Sequence, residues 1–223
     1  MPKKIPNYEK EYIKELRCND LEVVEFLKIK EKSLFDKIHN FATKHGFKEK
    51  ELIAEVKASK YFRAVFSKDP GRQKIHENIA AKFVKNLPQV KNFEQLKHTA
   101  LVILKGAVMT KKEVSKFGGR KSAKTIDFLW FTKGYKIYAS HKYTKEGGGG
   151  QDNQYADLQE FIKEANQSNL TNTMFIALAD GRYYQNMDSD AGMKKVDFLK
   201  KLANRQNVFA LSIGELENWL SQL

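Results

Sequence analysis

Two neighbouring segments rich in β-branched and aromatic residues constrain the fold of this chain most strongly. Residues 125–131 and 135–143 have the composition of β-strands, and Lys133-Gly134 lies between them. A short connection that contains glycine is typical of a tight turn between antiparallel strands. The sequence therefore predicts a β-hairpin near the middle of the chain.

The segments after this hairpin alternate between helical and strand-like patterns. Four glycines at 147–150 precede a helix predicted at 151–166, a strand at 174–179, a helix at 197–204, a strand at 208–212 and a helix at 213–223. This order is typical of an α/β fold in which helices flank a mixed central β-sheet.

The first part of the chain has a different pattern, with charges of both signs and apolar residues at helical spacing. We predict a helix that Asn19 or Asp20 caps, a second at 33–45 and a third at 48–58. We therefore separate a helical N-terminal region, residues 1–60, from an α/β core, residues 61–223. One continuous domain, residues 1–223, is the alternative.

The charge of the chain is strongly basic and unevenly distributed. Its 223 residues include 40 Lys and Arg against 27 Asp and Glu, for a net charge of +13. Residues 57–146 contain 21 basic and 6 acidic side chains, whereas residues 151–223 contain 7 basic and 10 acidic ones. Such a surface usually meets a nucleic acid or an anionic membrane surface, and a solvated lysine-rich surface without a partner is the alternative. We expect the central stretch to face the phosphates of a nucleic acid.

Cysteine content and hydropathy point to a cytoplasmic protein. Cys18 is the single cysteine, so an internal disulfide is excluded, and the charged start lacks the apolar core of a signal peptide. The longest apolar runs are much shorter than the ~20 residues of a transmembrane helix. The five histidines and Cys18 show no zinc-ligand spacing.

A constellation on the predicted hairpin carries the chemistry. Asp127 lies in an apolar stretch, and a carboxylate in such a place needs a cationic partner or a metal ion. Because side chains alternate along a strand, Ser140 and Lys142 point to one face and His141 to the other, where we expect a structural role or proximity to DNA. An acid and a lysine on paired strands form a layout that holds a divalent ion against a phosphate. A simple ion pair between Asp127 and a lysine is the alternative.

The sequences Thr-Ile-Asp-Phe at 125–128, Tyr-Ala-Ser-His-Lys at 138–142 and Glu-Gly-Gly-Gly-Gly-Gln-Asp-Asn-Gln at 146–154 resemble type II restriction endonucleases of the PD-(D/E)xK nuclease superfamily. The resemblance covers about residues 120–180. It implies a restriction-endonuclease-like core and Mg²⁺-dependent hydrolysis of double-stranded DNA by a metal-activated water. It also implies that Asp127 binds the metal and that Lys142 positions the nucleophile.

The chain departs from this family at Ser140, which stands where an aspartate or glutamate is usual. The resemblance implies that Ser140 is a weak ligand there and that another carboxylate replaces the missing acid. Glu77, on the helix predicted at 73–86, is the first candidate for this second metal ligand. Asp157 and Glu160, on the helix after the glycines, are the others, and the sequence does not choose among the three.

Further contacts to DNA are expected from glutamines and basic residues. Gln151 and Tyr155 resemble the Gln-x-x-x-Tyr pattern of other nucleases in the superfamily, which implies that either Gln151 or Gln154 contacts the scissile phosphate or a metal-bound water. The expected contacts to DNA phosphates and to guanine edges are Arg63, Arg72, Lys116, Arg120, Lys121 and Lys124.

The function predicted from these residues is that of a type II restriction endonuclease. A homodimer is expected because a palindromic site matches two-fold protein symmetry, and a companion DNA methyltransferase is implied by the resemblance alone. Since Ser140 replaces an acid, a nucleic-acid-binding protein that does not cut is the main rival. A structural or interaction protein with a basic, solubilising surface is the second.

Overall fold

The computed structural model describes residues 5–70, 74–97, 100–116, 123–146 and 149–223. These residues separate into two compact units. Asn7–His76 form one unit, and Glu77–Leu223 belong to the other together with Ile5 and Pro6.

The first unit consists of helices α1 (Tyr8–Lys28), α2 (Lys32–His45), α3 (Glu49–Ala58) and α4 (Lys60–Phe66). Their apolar faces meet in a shared core that includes Leu27, Ile38 and Val56. The helices predicted at 33–45 and 48–58 are confirmed as α2 and α3. Phe66 of α4 packs into the same core, so this unit extends beyond residue 60.

The predicted start of the first helix at Asn19 or Asp20 is wrong. The helix begins at Tyr8, after Asn7, whose side-chain oxygen accepts a hydrogen bond from the N–H of Lys10 at 3.0 Å. Asn19 and Asp20 lie inside α1 and use their polar groups for tertiary contacts: Asn19 donates to the carbonyl oxygen of Lys68, and Asp20 accepts from Arg63. Asn and Asp are common at helix starts, but Asn19 and Asp20 lie inside α1, where Asp20 joins α1 to α4.

The second unit is an α/β structure. Its elements in chain order are α5 (Ile75–Lys85, which begins at the boundary), β1 (Lys91–Gln95), β2 (Leu101–Leu104), β3 (Ala107–Thr110), α6 (Lys111–Lys116), β4 (Lys124–Thr125), β5 (Phe128–Thr132), β6 (Tyr135–Tyr143), α7 (Gly149–Ala165), β7 (Thr173–Asp180), a 3₁₀ helix (Arg182–Gln185), β8 (Met187–Asp188), β9 (Met193–Lys194), α8 (Lys195–Leu202), β10 (Val208–Leu211) and α9 (Ile213–Gln222).

A mixed sheet organises this unit, as the sequence predicts. In the described residues its strand order is β1-β5-β6-β7-β10, with β1, β5 and β6 antiparallel and β6, β7 and β10 parallel. The predicted hairpin is β5–β6, and its turn residues Lys133 and Gly134 both have positive φ, 43° and 84°. Helix α7 is the crossover that parallel strands β6 and β7 require, and its buried residues Leu158 and Phe161 pack on one face of the sheet.

A second, smaller sheet is inserted between β1 and β5. Its strand order is β3-β2-β4, and Val102, Leu104 and Val114 form a small apolar cluster with α6. Strand β4 ends at Thr125, two residues before Asp127. The inserted segment therefore leads directly into the candidate site. Among the described residues, no helix is long and apolar enough to cross a membrane.

Candidate active site

Asp127 lies immediately before the first residue of β5. Its side-chain carboxylate accepts a backbone hydrogen bond from β6. The N–H of Asp127 donates to Ala139, and its carbonyl oxygen accepts from the N–H of Leu96, both at 2.8 Å. Its side-chain Oδ2 then accepts from the N–H of His141 at 2.8 Å, in place of a backbone carbonyl. The residue is only 6% exposed. The carboxylate is therefore buried and held in a fixed orientation between two strands.

Ser140 and Lys142 lie on one face of β6, next to this carboxylate. Phe128 pairs with Ala139, so Asp127 stands opposite Ser140, whose Oγ donates to Oδ2 of Asp127 at 3.3 Å. Lys142 is two residues further along the strand and therefore shares the face of Ser140. The ring of His141 lies on the other side, against Phe128, with 5.9 Å between ring centroids. The structure thus places Asp127 and Ser140 in contact, with Lys142 further along the same face of β6.

Two groups of this cluster are available to a ligand. Among the described residues, nothing donates a hydrogen bond to Oδ1 of Asp127, and the amine of half-buried Lys142 has no hydrogen bond or ion pair. Asp127 makes no ion pair with a lysine in this part of the chain. The carboxylate oxygen Oδ1 of Asp127 and the ammonium group of Lys142 therefore both keep unused binding capacity, and the two residues lie on one face of the sheet.

The donor chemistry of the cluster fits Mg²⁺. This ion takes oxygen ligands and is usually bound through one or two carboxylates together with substrate phosphates and waters. Oδ1 of Asp127 is such an oxygen, and the described residues hold no group of three or more His, Cys, Asp or Glu side chains placed to bind a metal. Asp127 therefore offers one of the one or two carboxylates through which a protein usually binds this ion.

Glu77 lies at the same end of the sheet, but it bonds to Gln95 and not to Asp127. Its Oε1 accepts from Nε2 of Gln95 at 3.0 Å, and Gln95 precedes Leu96, whose N–H bonds to Asp127. Because Gln95 pairs with Phe128, its side chain is on the face opposite to Lys142. Glu77, on α5, therefore lies on the face of the sheet opposite to Lys142.

The two other candidate carboxylates are engaged in ion pairs. Glu160 accepts from Lys163, one turn along α7, at 2.7 Å, a local pair on the helix surface. Asp157 accepts from Nζ of Lys124 at 2.9 Å and so joins α7 to β4, three residues before Asp127. Asp157 is thus tied to the segment that leads into the site, whereas Glu160 is not.

Gln154 is held beside the end of β6 by Thr144, a residue that sequence reasoning missed. The Thr144 hydroxyl donates to Oε1 of Gln154 at 2.9 Å, and the Thr144 N–H donates to the carbonyl oxygen of Asp180 at 2.8 Å. The same hydroxyl lies 3.4 Å from the Tyr184 hydroxyl, and burial raises the pKa of Tyr184, which keeps this phenol neutral. Within the described chain the amide nitrogen of Gln154 has no partner. The only sequence signal for Thr144 was its position two residues after Lys142.

The residues expected to contact DNA have different outcomes. Arg63 donates to Asp20 at 2.8 Å and to the carbonyl oxygen of Lys57 at 3.2 Å, and its side chain is only 15% exposed. We therefore correct its expected role: Arg63 joins helices of the first unit and is not free to read a base. Lys116 is exposed at the end of α6. Arg72, Arg120, Lys121 and the side chain of Gln151 lie outside the described residues.

A stability comparison at position 127 tests this geometry. We expect Asp127→Leu to lower the free energy of unfolding by about 1–3 kcal/mol, because it leaves the buried N–H of His141 without an acceptor. Asp127→Asn keeps an acceptor oxygen and is expected to stay within about 1 kcal/mol of wild type. Urea unfolding measures both values. Equal losses in the two variants would contradict the hydrogen bond to His141.

The comparisons with known proteins add no family to this description. Searches against protein-family models and against curated proteins found no match to this chain.

Proposed function

We propose that this protein is a Mg²⁺-dependent, sequence-specific endonuclease of the type II restriction class, which hydrolyses phosphodiester bonds of double-stranded DNA at a short site. One observation carries the proposal: Oδ1 of Asp127 and the amine of Lys142 are available on adjoining strands, beside a serine that bonds to the same carboxylate. This pair matches the metal-binding acid and the lysine that the family resemblance assigns to these positions.

Each residue of the site has a separate role in this proposal. When bound, Mg²⁺ would supply positive charge to the phosphate and lower the pKa of a water molecule. Asp127 would hold the ion through Oδ1, because the N–H of His141 and the hydroxyl of Ser140 already bond to Oδ2 of Asp127. Lys142 orients the attacking water and stabilises the negative charge that develops on the phosphate.

Two further residues extend this assignment. Gln154, fixed by Thr144, donates its amide to a phosphate oxygen. Glu77 stays the leading candidate for the second carboxylate, although Gln95 holds it on the face of the sheet opposite to Lys142, so that it would have to move to share an ion with Asp127.

The inserted segment supports DNA as the substrate. Between residues 105 and 124 there are seven basic side chains and one acidic side chain, Glu113. Glu113 is turned back to the start of its own helix, where it accepts from the N–H and the hydroxyl of Thr110, and these bonds lower its pKa. Lys124 pairs with Asp157, but the segment keeps a clear excess of positive charge, and it ends three residues before Asp127.

We expect Lys112→Ala and Lys116→Ala each to reduce the salt dependence of DNA binding. If each lysine contacts one phosphate, the slope of log K against log salt concentration falls by about 1 per substitution. Fluorescence anisotropy with labelled duplex DNA over a range of salt measures the slope. Lys50→Ala removes the same charge from exposed α3 and is the matched control. An unchanged slope in the first two variants would remove the inserted segment from the interface.

The metal and DNA chemistry is tested on supercoiled plasmid. The wild-type protein is expected to produce nicked and linear plasmid with Mg²⁺ and intact plasmid with EDTA, whereas Asp127→Asn leaves the plasmid intact in both. Retarded but intact plasmid in every lane would overturn the nuclease proposal. It would favour the rival, a binding protein without cleavage, which the serine at position 140 motivates.

The proposed class of enzyme also implies an oligomeric state, a cellular location and a partner enzyme. We propose that two copies act as a homodimer on a palindromic site, that the protein works in the cytoplasm, and that a DNA methyltransferase protects the same site. Sedimentation of the protein with and without duplex DNA tests the first of these, since a dimer doubles the mass of the 25.8 kDa chain.

A further inference from the structure

A buried histidine–aspartate pair lies behind the candidate site, on the opposite face of β6. Nε2 of His141 is 3.1 Å from Oδ2 of Asp180, and the two side chains are only 1% and 6% exposed. His141 pairs with Leu178 and Tyr143 pairs with Asp180, so the two side chains share one face of neighbouring parallel strands. The pair therefore joins β6 to the end of β7 inside the protein.

Asp180 is itself fixed from a third element. Its Oδ1 accepts from the N–H of Ile213 at 2.8 Å, the first residue of α9. The start of a helix favours a negative charge because its N–H groups and dipole point towards it. A carboxylate oxygen accepts hydrogen bonds, so this pair forms in the tautomer of His141 whose Nε2 carries the hydrogen. Both oxygens of Asp180 are thus used, one by α9 and one by His141.

His141 contacts Asp180 with its ring and Asp127 with its backbone N–H, so it links Asp180 to the candidate site. Its N–H is the donor that orients Oδ2 of Asp127, and its chain neighbours are Ser140 and Lys142. A rotation of the backbone at His141 would move this N–H and both neighbours together. The ring fixed by Asp180 restrains that rotation.

We propose that Asp180 and His141 are positioning residues: by anchoring the ring of His141, Asp180 fixes the backbone of residues 140–142, so that Oδ1 of Asp127 and the amine of Lys142 face the substrate. This inference rests on the proposed nuclease function. Neither residue touches the substrate, and their effect passes through Asp127 and Lys142. Residues of this kind typically change metal affinity or activity by 10–100-fold when they are replaced.

The test compares a variant that loses the anchor with one that keeps it. His141→Leu removes the donor, whereas His141→Gln retains an N–H at the end of a side chain of similar reach. We expect His141→Leu to lower the single-turnover cleavage rate by about 10-fold or more, with DNA affinity unchanged, and His141→Gln to recover most of the rate. Ile137→Ala, on the same strand and face, is the control for a general loss of core packing. Equal rates in His141→Leu and wild type, or equal losses in the leucine and glutamine variants, would overturn the proposal.

A second measurement separates this proposal from the proposed function. Amide hydrogen exchange at residue 141, followed by NMR, reports the bond to Asp127 without any cleavage. We expect strong protection in the wild type and in His141→Gln, and faster exchange in His141→Leu. If the wild type does not cut DNA but this pattern holds, the nuclease function fails and the positioning pair stands. If the amide of residue 141 is equally protected in His141→Leu, the positioning role of Asp180 and His141 is wrong, whether or not the protein cuts DNA.

Discussion

Lys142→Ala is expected to slow DNA cleavage by about 10²–10³-fold, the usual loss when one group that stabilises transition-state charge is removed. Lys142 is half-buried and its amine makes no hydrogen bond or ion pair among the described residues, so its removal leaves no buried partner unsatisfied. Folding is therefore expected to be unchanged. Single-turnover cleavage with enzyme in excess over DNA measures the effect on the chemical step.

Lys136 provides the matched control for this substitution. It lies on the same strand and the same face as Lys142, six residues away, where its ammonium group sits 5.0 Å from the centre of the Tyr138 ring. Lys136→Ala removes the same charge but no group of the site, so its cleavage rate is expected to match the wild type. Equal losses in the two variants would mean that the lysines act only through the overall charge of the protein.

Ser140→Asp is expected to make stability depend on Mg²⁺. The Ser140 side chain is buried and lies 3.3 Å from Oδ2 of Asp127, so a second carboxylate there faces the first in a poorly solvated place. Without metal we expect a loss of about 3 kcal/mol in the free energy of unfolding. With Mg²⁺ the two carboxylates become ligands of one ion, and about 2.7 kcal/mol returns when the Mg²⁺ concentration is 100 times its dissociation constant.

Ser140→Asn separates charge from size in this experiment. It has the shape of aspartate without the charge, so its unfolding is expected to be the same with Mg²⁺ and with EDTA. Urea unfolding of both variants under the two conditions gives the comparison. If Mg²⁺ stabilises Ser140→Asp no more than Ser140→Asn, the metal does not bind at Asp127.

The α/β architecture was predictable because its signals are local. The hairpin follows from strand composition on both sides of Lys133-Gly134, and both turn residues adopt the positive φ that the turn requires. The register of that hairpin then places Asp127 opposite Ser140. Since side chains alternate along β6, the shared face of Ser140 and Lys142 was also fixed by the sequence.

The contacts that complete the site were not predictable, because they join residues far apart in the chain. Thr144 at the end of β6 meets Gln154 on α7, and Asp180 meets His141 from 39 positions away. Neither contact leaves a periodic pattern, since each depends on where two elements pack. The same cause misled the prediction for Arg63, whose partner Asp20 lies 43 residues earlier on another helix.

The most direct test of the central claim is the digestion of phage DNA by the purified protein, with Mg²⁺ and with EDTA, in wild type and Lys142→Ala. Our account predicts a fixed set of discrete fragments that requires both Mg²⁺ and Lys142, with the same short sequence at every sequenced end. Intact DNA in every lane, or fragments that persist in Lys142→Ala or in EDTA, would contradict it.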